Sequence, residues 1–173
     1  WNDAQPSAGA AALEPQIREA AKWAAARRAK VAERFAGQLV VIEAGGLKTR
    51  SNDTEYRFRP HSAFAHLTGW GTATVADSVL VIDAREAGVQ GDQSHRDATS
   101  TRFFRPSAGR GTSEFFANPT IGEFWVGHRP SLEQVSELLG ISTRDVADYE
   151  TFITGAENVI DLGFEEVLEF VSE

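Results

Sequence analysis

Short apolar runs alternate with stretches of helical spacing along this chain. Residues 13–35 place Ile17, Ala24 and Val31 near one face of a predicted helix, and Gly37 ends it. Four apolar runs bounded by turn residues predict buried strands. The predicted strands cover residues 38–44, 77–84, 98–106 and 158–162.

The second half of the chain carries clearer helix signals. Ser131 and Gln134 have the spacing of a capping box, an apolar stripe follows them, and Gly140 closes the predicted helix. Residues 149–155 predict a shorter helix, and residues 164–173 begin another helical pattern.

Together these elements predict one α/β domain in which helices flank a sheet. Residues 62–70 fit either a helical turn or a strand. The polar segments 45–61, 85–98 and 107–122 are predicted loops, and residues 1–12 are a predicted loose N-terminal segment. The pattern does not define the strand order.

Composition narrows the class of protein. The chain has 173 residues, 42% of them hydrophobic, so it can bury a core without disulfides or a structural metal. It has no apolar run of about 18 residues, so the sequence predicts no membrane-spanning helix. The absence of cysteine excludes disulfides, thiolate metal sites and cysteine nucleophiles, and it is compatible with the cytoplasmic location that we expect.

The charge is acidic and unevenly distributed. A net charge of −8 argues against a general nucleic-acid binder, which needs a basic surface. Residues 131–173 contain 11 acidic residues and one basic residue, Arg144. These acidic side chains could contact a basic partner, or they could cover solvated helix faces.

Common catalytic motifs do not occur in the sequence. The four histidines, at positions 61, 66, 95 and 128, lack a metal-ligating spacing, and there is no G-x-S-x-G serine elbow. Residues 107–111 contain glycines but not the Walker spacing of a phosphate loop. The residues alone therefore offer no recognisable serine nucleophile, phosphate loop or histidine metal site in this chain.

Two segments nevertheless combine residues suited to binding. Residues 50–59 place arginines, carboxylates and aromatics after a buried strand, so Asp53 or Glu55 could bind a ligand amine. The alternative is an Arg–carboxylate network that holds the loop in shape. Residues 123–129 contain Trp125, which could form an apolar binding wall or pack in the core.

In their order and spacing, these segments resemble the N-terminal domain of the aminopeptidase P (Xaa-Pro aminopeptidase) group of the creatinase/prolidase metallopeptidase family. The similarity extends over about residues 13–162, and the family usually has proline, tyrosine and arginine where Arg57, His66 and His128 stand. The similar stretches are KTRSNDTEYRFR at 48–59, FAHLTGW at 64–70, SVLVI at 78–82 and GEFWVGHR at 122–129.

The resemblance implies a mixed β-sheet flanked by helices, with a ribonuclease-H-like motif. It also implies a C-terminal pita-bread domain, missing here, that holds two divalent metals, commonly manganese. That domain would hydrolyse the bond between an N-terminal residue and proline. Residues 163–173 would begin the linker helix toward it.

The resemblance makes the present chain the non-catalytic part of such an enzyme. It would help to form a homo-oligomer, a dimer or tetramer, and would cover the pocket of a neighbouring subunit that holds a proline-containing peptide. By resemblance, Trp125 offers a flat wall to the proline ring, and Asp53 fixes a cationic group. Arg50 and Arg129 would be supporting residues.

Other interpretations stay open at this point. The chain could be the N-terminal domain of a creatinase-like or prolidase-like hydrolase with other substrates. It could instead be a stand-alone peptide-binding or interaction module. A nucleic-acid-binding domain on a ribonuclease-H-like fold would lack both the basic surface and the carboxylate set that it needs.

Overall fold

The computed structural model describes residues 8–52, 54–71, 73–85 and 97–162, with the side chains of residues 8–16 and 97–99 excepted. The strands are β1 Leu39–Glu43, β2 Thr49–Ser51, β3 Thr54–Glu55, β4 Val79–Asp83, β5 Asp97–Phe104, β6 Ile141–Asp145 and β7 Val159–Asp161. The helices are α1 Ala8–Arg34, α2 Ser62–Thr68, α3 Glu114–Ala117, α4 Glu123–Val126, α5 Leu132–Leu139 and α6 Tyr149–Ile153, with a 3₁₀ helix at Val146–Asp148.

Five of the strands form one mixed sheet in the order β6-β5-β4-β1-β7. Strand β4 pairs antiparallel with both β1 and β5, whereas β7 runs parallel to β1 and β6 runs parallel to β5. The two short strands β2 and β3 form a separate antiparallel hairpin. The expected mixed sheet with flanking helices is thereby confirmed.

The sheet is buried on both faces, which explains the uninterrupted apolar runs of its central strands. Val40, Ile82 and Phe104 point to the face covered by α1, α2 and α5. On the opposite face, Val41 and Phe103 contact a smaller apolar cluster that includes residues of α6. The register places Val40 opposite Ile82, so the alternation of the two strands matches.

Several predicted elements agree with the structure. Strands at 38–44, 77–84, 98–106 and 158–162 correspond to β1, β4, β5 and β7. The predicted capping box is present, because Gln134 N–H donates to Ser131 Oγ at 3.2 Å and Ser131 N–H donates to Gln134 Oε1 at 2.8 Å. Gly140 ends α5 with a positive φ of 68°, a conformation that suits glycine.

Other elements differ from the prediction. Helix α1 begins at Ala8, so residues 8–12 of the segment expected to be loose are helical. The ambiguous residues 62–70 form helix α2, which Gly69 ends at a φ of 71°. The sequence pattern also missed β6. The predicted helix at 164–173 and most of the predicted loop at 85–98 lie outside the described residues.

One charged side chain lies in the centre of the core. Arg102 of β5 is 0% exposed, and its guanidinium carbon lies 3.6 Å from the centroid of the Trp70 ring. Its Nη2 donates to Ser78 Oγ at 3.2 Å, whereas Nε and Nη1 have no hydrogen-bond partner among the described residues. Burial alone lowers the pKa of Arg102 well below the usual arginine value.

Among the described helices, none is long and apolar enough to cross a membrane.

Candidate functional site

The segment after β5 folds back on itself through backbone hydrogen bonds. Ala108 N–H donates to Ile121 O at 2.7 Å, and Glu123 N–H donates to Ala108 O at 3.0 Å. This bridge between Ala108 and Gly122 brings α3 and α4 side by side. The two short helices therefore depend on a closed loop, because four-residue helices are not stable alone.

Gly122 makes this close approach possible. A Cβ atom at position 122 would lie 2.6 Å from Glu114 O and 2.7 Å from Asn118 O, and it would also meet Phe115 O. These are backbone atoms, so a side chain at position 122 would push α3 away from α4. The glycine is needed here for space and not for a left-handed conformation, since its φ is −64°.

Four aromatic residues of α3 and α4 form an exposed aromatic cluster, namely Phe115, Phe116, Phe124 and Trp125. The ring centroids of Phe116 and Phe124 lie 5.0 Å apart, as do those of Phe124 and Trp125. Phe115 and Phe116 make an edge contact at 4.5 Å. Phe116, Phe124 and Trp125 are 64%, 57% and 58% exposed, so the cluster is a surface and not part of the core.

The orientation of Trp125 is held by one hydrogen bond. Its indole Nε1–H donates to Phe116 O at 2.8 Å, which satisfies the polar edge of the ring and leaves its apolar part exposed. The alternative in which Trp125 packs in the core is wrong. A large aromatic that is oriented yet exposed is typical of a binding surface.

A polar network supports the other side of α4. Glu123 Oε1 accepts from Ser107 Oγ at 3.0 Å and lies 2.8 Å from His128 Nδ1. The hydrogen bonds of His128 and Ser107 lower the pKa of the Glu123 carboxyl, although burial acts in the opposite direction. The Glu123 carboxylate is therefore ionised, and its contacts with Ser107 and His128 connect the first and last residues of segment 107–128.

Arg129 belongs to the same network. Its backbone N–H donates to Ser107 Oγ at 3.2 Å, and its Nη2 donates to Thr120 O at 3.2 Å. Partial burial lowers the pKa of its guanidinium. Arg129 thus braces the loop that carries Trp125.

The second predicted site segment contains the β2–β3 hairpin. Thr49 pairs with Glu55, Tyr56 N–H donates to Lys48 O at 2.9 Å, and Arg50 is exposed. Asp53 lies outside the described residues. Within the described part of this loop, no ion pair joins an arginine to a carboxylate.

Two of the predicted site residues lie in the same segment of the structure, and a third lies in the β2–β3 hairpin. Trp125 and Arg129 both lie within residues 107–129. Trp125 donates a hydrogen bond to Phe116 O in α3, and Arg129 donates one to Thr120 O, between α3 and α4. Among the described residues, Arg50 makes no hydrogen bond to that segment. Sequence reasoning missed Phe115 and Phe116, although two adjacent phenylalanines inside a polar loop were a usable signal.

The described residues contain no group of three or more histidine, aspartate or glutamate side chains that could hold a metal ion.

Fold and site together define an α/β domain that displays an oriented aromatic surface on a closed loop, built on a sheet that is covered on both faces. Residues 24–159 match the family model described as "Aminopeptidase P, N-terminal domain". The chain belongs to this family.

Two curated proteins align with most of this chain. The chain is 42% identical over 162 residues to Xaa-Pro aminopeptidase 1 of Streptomyces coelicolor, an alignment that covers 90% of this chain and 30% of the relative. It is 38% identical over 128 residues to Xaa-Pro aminopeptidase 2 of the same organism, which covers 74% of this chain and 25% of the relative. The chain thus spans about 30% of the length of the relatives that it matches.

Solved structures agree with the fold. Aminopeptidase P from E. coli in a low-pH form superimposes with a TM-score of 0.53 at 24% identity, covering 76% of this chain and 25% of that one. Proline aminopeptidase P II from Yersinia pestis gives a TM-score of 0.54 at 20% identity, covering 92% of this chain and 32% of that one.

Proposed function

We propose that this chain is the non-catalytic N-terminal domain of a metal-dependent Xaa-Pro aminopeptidase and that it covers the substrate pocket of a neighbouring subunit. The whole enzyme would remove an N-terminal residue that precedes proline. The Streptomyces relatives named Xaa-Pro aminopeptidase support this substrate class, since they align with most of the chain.

The exposed Trp125 carries the proposal. Trp125 is 58% exposed and continues a row of exposed aromatic rings, and a contiguous apolar surface of this kind is typical of a site that another surface covers. The bond from Nε1 to Phe116 O fixes the ring before any partner arrives, so little side-chain entropy is lost on binding. A flat, pre-oriented indole suits the rigid apolar ring of proline.

The proposal assigns supporting roles to three further residues, Asp53, Arg50 and Arg129. Asp53 would hold a cationic group, either an arginine of the neighbouring catalytic domain or the ammonium of the peptide. Arg129 would act as a positioning residue for Trp125, an idea supported by its bond to Thr120 O. Arg50 would support the Asp53 hairpin from its exposed position.

The remaining parts of the proposal concern the whole enzyme. Residues 13–162 would form the lid domain, and residues 163–173 would lead to a C-terminal catalytic domain. Two divalent metals, most simply manganese, would bind in that catalytic domain. Assembly as a dimer or tetramer in the cytoplasm completes the proposal.

The test uses the full-length enzyme and the variant Trp125→Ala, with Trp23→Ala as a matched control. Trp23 is 65% exposed but lies on α1, and no ring contact among the described residues joins it to the aromatic cluster. We expect Trp125→Ala to lower kcat/KM for an Ala-Pro substrate by at least about 30-fold, the loss typical of an interface hot spot.

The control should retain the activity of the wild type, and both variants should unfold at the temperature of the wild type. Full activity of Trp125→Ala would refute the lid role. An enzyme that cleaves no bond before proline would refute the proposed substrate class.

A further inference from the structure

Two neighbouring cavities lie along the segment that contains the β2–β3 hairpin. Their volumes are about 490 and 460 Å³, a size typical of ligand-binding clefts. Arg59, Pro60 and Ser62 line both cavities, so the two join into one groove, here called the cationic groove. Its basic side chains and histidines are Lys48, Arg57, Arg59 and His61 in one cavity and Arg27, Arg59 and His66 in the other.

The positive charge of this groove has no partner in the part of the chain that the structure describes. No aspartate or glutamate lines either cavity there. The side chains of Lys48, Arg57 and Arg59 are exposed and make no hydrogen bond or ion pair with a described residue. Burial and, secondly, Arg27 lower the pKa of His66, so that imidazole is neutral at pH 7. Uncompensated cations in a chain with a net charge of −8 predict an anionic ligand.

The shape of the groove depends on backbone hydrogen bonds and not on its cations. His61 N–H donates to Ala44 O at 3.0 Å, and Tyr56 N–H donates to Lys48 O at 2.9 Å, so residues 45–61 form a closed loop. Arg27 is fixed from α1 by a hydrogen bond from its Nη1 to His66 O at 2.9 Å. The groove therefore exists before a ligand binds, which lowers the entropic cost of binding.

The cationic groove and the Trp125 loop leave the sheet at the same edge. Strands β1 and β5 both pair antiparallel with β4, so they run in the same direction, and Val79 pairs with Glu43 on one side and with Phe103 on the other. The groove segment follows β1, and the segment that carries Trp125 follows β5. Since neighbouring strands lie about 4.8 Å apart, the backbones of Glu43 and Phe103 are separated by about 10 Å.

We infer that the cationic groove binds acidic residues of the peptide substrate that follow proline. This inference rests on the proposed function, in which Trp125 covers the proline ring. The ligand brought to this edge of the sheet is then a peptide, whose anionic groups are carboxylates, and guanidinium groups bind carboxylates through paired hydrogen bonds. An extended peptide advances by about 3.3 Å per residue, so about three residues span a separation of the size between the two strands.

The test uses the full-length enzyme and two matched substrates, Ala-Pro-Gly-Glu-Glu-Glu and Ala-Pro-Gly-Lys-Lys-Lys. Consecutive side chains of an extended peptide point to opposite faces, so a run of three charged residues presents charge on both faces. We expect the wild type to prefer the glutamate substrate by about tenfold in kcat/KM, because each exposed ion pair contributes about 1.4- to 5-fold and the groove offers several cations. Raising NaCl from about 0.02 M to about 0.5 M should reduce the preference to about twofold or less, since salt screens exposed charges.

A double variant locates the preference in the groove. Arg57→Gln with Arg59→Gln should lower the ratio of kcat/KM for the two substrates to about threefold or less. Lys22→Gln with Lys30→Gln is the matched control, because it removes the same charge from exposed positions of α1 that line neither cavity. The control should keep the ratio of the wild type.

Several results would overturn the inference. A wild-type enzyme without the preference, or with a preference that salt does not change, excludes a charged groove as its cause. A double variant that keeps the wild-type ratio excludes Arg57 and Arg59. A control that loses as much as the double variant would show that net charge, and not the groove, sets the preference.

These outcomes are separate from those of the proposed function. An enzyme that cleaves Ala-Pro and loses activity in Trp125→Ala, yet shows no preference for the glutamate substrate, keeps the lid and loses the groove inference. An enzyme that cleaves no bond before proline overturns both. The wild-type comparison needs no variant, so a double variant that fails to fold still leaves the inference open to refutation.

Discussion

Arg102 allows a test of how a charge in the core affects stability. The guanidinium is fully buried and stacks on Trp70, with the Phe104 and Phe64 rings at 5.1 and 5.3 Å. No carboxylate of the described residues forms an ion pair with it. We therefore predict that Arg102→Met makes the domain more stable than the wild type.

The magnitude follows from the contacts. Removing a guanidinium from water costs several kcal/mol, and each of the two unpaired guanidinium nitrogens, Nε and Nη1, adds about 1–3 kcal/mol. The ring contacts contribute about 2 kcal/mol and the bond to Ser78 about 1.5–3 kcal/mol. The balance favours an apolar side chain of similar volume, for which replacements of buried ions have gained about 1–4 kcal/mol.

Urea unfolding of the chain, followed by circular dichroism, measures this difference. Leu80→Met is the matched control, because Leu80 pairs with Arg102 across the sheet and is equally buried, and such a swap should cost less than about 1.5 kcal/mol. Arg102→Ala should be less stable than Arg102→Met by about 2–5 kcal/mol, since it leaves a cavity. An Arg102→Met variant no more stable than the wild type would show that the guanidinium has strong partners, which would refute the reasoning.

Two further predictions concern the loop that carries Trp125. Gly122→Ala should lower the free energy of unfolding by about 1–3 kcal/mol, because the added Cβ overpacks the contact between α3 and α4. Gly71→Ala is the control, since its added Cβ would have nothing within 4 Å. In the same urea titration it should change the free energy of unfolding by less than about 0.5 kcal/mol. Folding lowers the pKa of Glu123, so the ionised carboxylate stabilises the folded state. This contribution to the free energy of unfolding should be fully present above the usual pKa of 4.5 and should disappear as the pH falls through the folded pKa. Unfolding of the wild type and Glu123→Gln between about pH 7 and pH 3 should therefore converge at the acid end, and a constant difference would contradict the assigned carboxylate role.

The central part of the fold was predictable because its signals are local. Strands β1 and β4 are buried on both faces, so their sequences are continuous apolar runs. The capping box of α5 lies within four residues. Strand β6 was missed because it is an edge strand, starts directly after Gly140, and buries only Ile141 fully.

The site was only partly predictable because it depends on contacts between distant residues. The sequence singled out Trp125 and Arg129, but their surroundings depend on the bridge between Ala108 and Gly122. Whether a tryptophan is exposed cannot be read from its neighbours in the sequence. The burial of Arg102 was equally hidden, since an arginine in a strand ordinarily marks an exposed position.

The parallel pairing of β7 with β1 affects folding during translation. About 115 residues separate the two strands, and β1 lies inside the sheet only once β7 has joined its free edge. At about 5–20 residues per second, a ribosome needs roughly 6–23 s to supply those residues. During that interval the apolar edge of Leu39–Glu43 is an open template for pairing with other chains, so slow translation or truncation before Val159 should favour aggregation.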